Sequence, residues 1–258
     1  MIKLKRIKKP AELTEALQKE LTEKFKKDKK VAVWNKIFIR ENLLKESNSK
    51  CVYCECFIGP GEKEMNVDHF HCKDKYKEEV VSWENLIPSC PHCNKSKSNH
   101  DTYEVPIINP FEQNPKDYFY LKNYRYRIKN NTIKKIASDT IEVLGLNDTE
   151  NKVKKRFEQG EELSNKLELI HQLVIENKEN LLESTSKKNR IIKGCHNLLK
   201  LGTKKAEYSA FMATIIQSDE KYHEIRQILI ELNLWDEELK ELDKETKEVA
   251  MVEEKNFS

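Results

Sequence analysis

Residues 90–99 read CPHCNKSKSN, and this stretch decides how the chain is read. Cys90 and Cys93 stand two residues apart, Asn94 follows at once, and Lys95 and Lys97 come next. A matching pair, Cys51-Val-Tyr-Cys54, lies upstream. Tetrahedral zinc takes four such thiolates, and a two-residue gap lets both sulfurs of a pair point at one ion from a tight turn. The spacing therefore predicts a structural Zn²⁺ on Cys51, Cys54, Cys90 and Cys93. The alternative, four unrelated buried thiols, leaves the repeated spacing without a cause. The gap between the pairs is 35 residues, longer than the roughly 15–20 of a simple zinc ribbon. Zinc is thus expected to clamp the base of an insert, and the insert to carry the function. Cys56 and Cys72 fall in the same region. Cys56 could be a spare ligand but, beside two clean pairs, reads as a packed thiol, and Cys195, in a helical stretch, as core.

The chain around this region has 258 residues, 35% charged and 38% hydrophobic, with a mean hydropathy of −0.79. Such a chain is expected to be soluble and rich in helix. No apolar stretch approaches the ~20 residues of a membrane span, so no membrane association is expected. The opening MIKLKRIKKP is basic but is followed by no apolar run and no small-residue cleavage site, so it does not read as a secretory signal. The expected location is cytoplasmic, where clustered cysteines indicate metal rather than disulfides. The net charge of +3 hides an asymmetry. Residues 1–50 hold 15 lysines and arginines against 7 acids; residues 219–258 hold 6 against 13. A basic front attracts polyanions. An acidic rear suits a protein partner, or is a solvated helix face.

The expected fold class is α+β, mostly α, in three segments. Residues 1–49 are basic and helical. AELTEALQKELTEKF spaces Leu13, Leu17, Leu21 and Phe25 as one helix face, and VAVWNKIFIRENLL reads as a second helix around Trp34, Ile37 and Leu44. Residues 50–105 hold the cysteines and short strand-like pieces. Residues 106–258 begin with a loop, PIINPFEQNPKD, marked by its turn residues. YRYRIKNNTIKKI then alternates and reads as a hairpin over 124–136 turning at Asn130-Asn131. In that strand Arg125 and Arg127 share one face, and Tyr124 and Tyr126 the other. The cationic face could track a phosphate backbone, or be a solvated sheet face. From about 138 to 250 the pattern is helical, with no internal repeat.

The insert contains EMNVDHFHCK, with Asp68 beside His69, and SWENLIPSC, with Asn85. Together with Asn94 these residues form an ordered set: Asp-His, Asn, then Asn just after the last cysteine. This set resembles the HNH nuclease family, whose core is a ββα-metal finger, in many members flanked by two CxxC pairs. The resemblance implies that His69 is the catalytic base, that Asn85 braces the loop, and that Asp68 and Asn94 hold a catalytic metal. Carboxylate and amide oxygens suit hard ions, Mg²⁺ or Mn²⁺. Lys95 and Lys97 would then hold substrate phosphates. His69 beside Asp68 could instead be a structural hydrogen-bonded pair. The sequence leaves open whether His71 is a second metal ligand, a phosphate contact or solvated, and whether Asn99 and His100 cap the helix or touch phosphate.

The flanking text carries a second resemblance. MIKLKR with Pro10, CVYCE, His69-Phe70 with Lys73, WENL, the CxxCN knuckle, INPFEQNPKDYF and TIEVLGLN at 140–147 are similar to the nuclease subunit of Septu-type antiphage systems, also found with some retrons. His71-Cys72 departs from the expected residue-then-Pro, and Asp68 stands where Glu is frequent. This resemblance implies a DNA endonuclease within a defence complex, controlled by an ATPase partner; the C-terminal helices either offer its docking surface or merely complete the fold. Two other functions fit the same residues. One is a zinc-dependent nucleic-acid-binding or adaptor protein with a degenerate site. The other is a stand-alone restriction-type nuclease.

Overall fold

The computed structural model describes residues 1–129 and 134–253. The fold is α+β and mostly helical. Its contacts divide into two units. The first comprises Met1–Tyr118 and Ile128–Asn147; the second comprises Phe119–Arg127 and Asp148–Ser258. The long third segment read from the sequence is thus shared between the two.

In the first unit, α1 (Glu15–Lys27) starts where the Thr14 hydroxyl accepts from the Leu17 N–H at 3.2 Å. Glu15 in its first turn and Lys24, Lys26 and Lys27 in its last oppose the helix dipole. Leu21 and Phe25 are buried against Val33, Val80 and Val81, with Leu17, Val31 and Trp34 at the edge. The second helix differs from expectation. α2 spans Ile37–Glu46, so Trp34 precedes it and Ile37 is 76% exposed. Tight turns take residues 31–36 instead, among them Val33 N–H to the Val31 carbonyl at 2.9 Å. Tertiary packing of Val33 and Trp34 overrides the helical pattern.

Strands β1 (Asn66–His69) and β2 (Leu86–Ser89) pair antiparallel, with Asp68 opposite Ile87 and His69 opposite Leu86. Helix α3 (Pro91–Lys97) follows directly, with Pro91 at its first position and the Cys90 sulfur capping the Cys93 N–H. This β–β–α order is the finger the sequence predicts. Two strands of four residues are marginal by themselves, and their surroundings supply the support. Arg6 crosses β2, donating to the carbonyls of Leu86 at 2.9 Å and Glu84 at 2.8 Å and pairing with buried Glu46. Its guanidinium lies 3.8 Å over the Phe111 ring. The 106–117 stretch is a loop ending in a short 3₁₀ turn, as its Pro and Asn residues predict. Helix α4 (Lys134–Val143) joins this unit through buried Thr140, whose hydroxyl accepts from the Ile108 N–H at 2.9 Å.

The second unit opens with a hairpin of β3 (Phe119–Lys122) and β4 (Arg125–Ile128). The turn falls at Asn123-Tyr124, both left-handed with φ of 48° and 62°, as a two-residue hairpin turn requires. This corrects the expected hairpin over 124–136. The expected turn at Asn130-Asn131 lies outside the described residues, and residues 134–136, read as its return strand, begin α4. What reads as the first strand is the second. A π-helical turn at Thr149–Val153 leads into α5 (Lys154–Asn177). Then come α6 (Thr185–Lys200), α7 (Ser209–Ser218), α8 (Glu220–Glu231) and α9 (Glu237–Val249). Leu163, Leu167, Ile170 and Val174 of α5 are buried at helical spacing. Gly202 lets two elements meet closely: a Cβ there would lie 2.6 Å from Thr246 and 3.1 Å from the Ala213 backbone. Among the described residues, no helix is long and apolar enough to cross a membrane.

Candidate metal centre and active-site cleft

The knuckles meet as the spacing predicts. The sulfurs of Cys51, Cys54, Cys90 and Cys93 all lie within 4.8 Å of one another. A tetrahedral zinc with arms of about 2.3 Å needs sulfur separations of about 3.8 Å, and the Cys54 and Cys90 sulfurs are 3.8 Å apart. The donor set therefore fits zinc. Cys56 is buried beside the cluster, its sulfur 3.4 Å from that of Cys54.

Above the knuckles a cleft of about 450 Å³ opens. Asp68 and His69 enter it from β1, and Asn94 and Lys95 from the first turns of α3. His69 is 5% exposed. Its Nε2 lies 2.9 Å from the Val80 carbonyl, which can only accept. Nε2 therefore carries the hydrogen, and Nδ1 keeps its lone pair. The Trp34 ring packs edge-on against the imidazole, with centroids 4.6 Å apart. Burial, above all, draws the His69 pKa down to about 3, so the ring is neutral at pH 7.

Asp68 is buried and held at both oxygens. Oδ2 accepts from the Tyr53 hydroxyl at 2.6 Å, and Oδ1 from the Lys97 ammonium at 3.3 Å. Burial raises its carboxyl above the ordinary range, against the opposing pull of Lys97 and Tyr53. Lys97 also donates to the His69 carbonyl at 2.6 Å. Lys97 is only 2% exposed, which corrects its expected role as a phosphate contact. Its position on the inner face of α3 directs the cation to Asp68. Lys95 is exposed in the cleft. The Asn94 backbone N–H donates to the Cys90 carbonyl at 3.0 Å, and its side chain lines the cleft.

Asn85 does not line the cleft. Its Oδ1 accepts from the His71 N–H at 2.6 Å, and its Nδ2 donates to the carbonyls of His71 at 3.1 Å and Glu79 at 3.2 Å. It thereby closes the loop that presents His69 and Val80. β1 ends at His69, so His71 does not continue the strand. Its ring stacks on Tyr103 at 3.9 Å and contacts the Thr102 hydroxyl at 2.6 Å. Asn99 lines the cleft, and His100 donates to the Val105 carbonyl at 2.8 Å. Arg125 and Arg127 lie on β4 in the second unit, with Tyr126 buried between them.

The sequence reading missed four residues of this site. Arg40 and Lys73 add cations to the cleft lining, and Trp34 packs against the His69 ring. Tyr53 was visible only as a letter between zinc ligands, and nothing in the spacing aims its hydroxyl at Asp68. The cation count alone could have suggested Arg40 and Lys73.

A finger of two strands and a helix, with a zinc-type knuckle below and an Asp-His-Asn set above, defines a class. Residues 51–100 match the HNH endonuclease family. Septu protein PtuB of Bacillus thuringiensis is 35% identical over 242 residues, covering 94% of this chain and 92% of that protein. The chain belongs to the family of Septu protein PtuB, and its finger is that family's HNH domain.

Proposed function

We propose that the protein is a metal-dependent endonuclease that hydrolyses DNA phosphodiester bonds, the effector nuclease of an antiphage complex controlled by an ATPase partner. The observation that carries this reading is the convergence of Asp68, His69 and Asn94 on one cleft, with the His69 Nδ1 lone pair left to accept a proton. His69 takes a proton from water through Nδ1 while its Nε2–H stays on the Val80 carbonyl. The hydroxide so formed attacks phosphorus in line, and the bond to the 3′ oxygen breaks; the leaving oxygen takes a proton from a second water and His69 returns its proton to the hydroxide so left, giving 5′-phosphate and 3′-hydroxyl ends. Asp68 and Asn94 offer the oxygen donors that suit Mg²⁺ or Mn²⁺. Such an ion, when bound, supplies electrostatic stabilisation of the charge on the phosphate and leaving oxygen. Lys95, Arg40 and Lys73 hold the backbone phosphates, and Asn85 keeps the His69 loop in register. The basic β4 face with Arg125 and Arg127 adds a DNA contact, and the acidic C-terminal helices offer the partner a surface.

The test is plasmid DNA with Mg²⁺ or Mn²⁺, with and without the ATPase partner, using wild type beside His69→Ala. Cleavage should fall about 10²–10⁴-fold in the variant. Equal cutting by both proteins would remove His69 as the base. No cutting by zinc-loaded wild type with partner and either metal would favour the binding-module function.

A further inference from the structure

The two halves of the zinc site each send one donor to Asp68. Tyr53 sits between Cys51 and Cys54, is fully buried, and donates its hydroxyl to Asp68 Oδ2 at 2.6 Å. Lys97 sits on α3, which begins at Cys90, and reaches Asp68 Oδ1 at 3.3 Å. The two grips are unequal. The closer bond of Lys97 goes to the His69 carbonyl at 2.6 Å, so Oδ1 is the loosely held oxygen and Oδ2 the fixed one. The knuckle bearing Tyr53 is itself anchored to the finger, since the Val52 N–H donates to the Pro88 carbonyl at 3.1 Å. A zinc ion joining the four sulfurs would hold both arms at once.

We infer that Tyr53 is a positioning residue: its hydroxyl fixes Oδ2, leaves Oδ1 for a divalent cation, and makes the cleft's cation affinity depend on the closed knuckle. This rests on the proposed metal role of Asp68. Partners of metal ligands that are lost by mutation commonly cost 10–100-fold in metal affinity. Without the Tyr53 hydroxyl, the carboxylate keeps the long bond to Lys97 and the backbone N–H of its own neighbour His69, and no side chain from the first knuckle.

The experiment measures Mn²⁺ binding by electron paramagnetic resonance on zinc-loaded, DNA-free protein. Wild type, Tyr53→Phe and Asp68→Asn are compared, with zinc content assayed in each. Tyr53→Phe should retain its zinc and bind Mn²⁺ about 10-fold more weakly or worse. Unchanged Mn²⁺ affinity with zinc in place overturns the role of Tyr53. Unchanged affinity in Asp68→Asn overturns the metal-ligand reading beneath it, so the two failures are distinguishable. If Tyr53→Phe loses zinc or fails to fold, wild type carrying a ¹³Cζ label at Tyr53 decides. That resonance should move when Mg²⁺ is added, and a resonance that stays fixed overturns the inference.

Discussion

The two units are held together by different means. The second is built of helices such as α5, whose buried leucines and valines repeat at helical spacing. The first carries its cleft on two strands of four residues and a seven-residue helix, joined by long connections and set among α1, α2 and α4. Its parts are pinned one by one, by Arg6 across β2, by Asn85 across its loop, by Lys97 on Asp68, and by a thiolate cluster. Regular amphipathic structure buries area with little need of special contacts. A cleft that brings Asp68, His69 and Asn94 together needs side chains held singly, and each pin is a point of failure.

Zinc removal should separate the units most strongly. Structural zinc contributes on the order of 10 kcal/mol to small metal-dependent folds. A zinc chelator should therefore abolish the fluorescence changes of Trp34 and Trp83 on denaturation, while the far-ultraviolet helical signal of α5 to α9 persists. Trp235, in the second unit, is replaced by Phe to isolate the signal. Loss of both signals at one chelator concentration would break the contrast. Lys97→Ala comes next. Removing one partner of a buried ion pair typically costs about 3–5 kcal/mol, and urea unfolding of the first unit should show it. A cost below about 1 kcal/mol, the range of exposed pairs, would mean that Lys97 is solvated. Gly202→Ala sharpens the other side of the comparison. Its methyl would meet Thr246 and the Ala213 backbone, and overpacking of this kind costs about 1–3 kcal/mol. The loss should appear in the helical transition and leave zinc content unchanged.

The sequence made some layers of this molecule legible. The paired CxxC spacing announces the four-cysteine cluster because ligand geometry is local to each pair. The helical region is equally plain, since α5 to α9 show their apolar period. The hairpin was misplaced because Arg125 to Ile128 alternate equally well as either strand, and Asn-Asn is the stronger turn letter. Asn123-Tyr124 makes the turn because Asn, and here Tyr, accept left-handed backbone. Within the site, Asp68, His69 and Asn94 were legible as an ordered motif. Lys97 was not, because spacing does not say which face of a seven-residue helix turns inward. Tyr53 was hidden because its partner is 15 residues away and on another element.

The Val80 carbonyl sets the tautomer of His69, and Val80 is packed into the apolar cluster built by α1. Trp34, from the same neighbourhood, backs the imidazole. All the motif letters fall within 51–100, yet the surroundings of His69 are completed by residues 17–34. A minimal finger excised at the motif's edges would keep every recognisable letter and lose the scaffold that orients His69. Modularity in this nuclease is a property of the alphabet, and the working part is larger than the word.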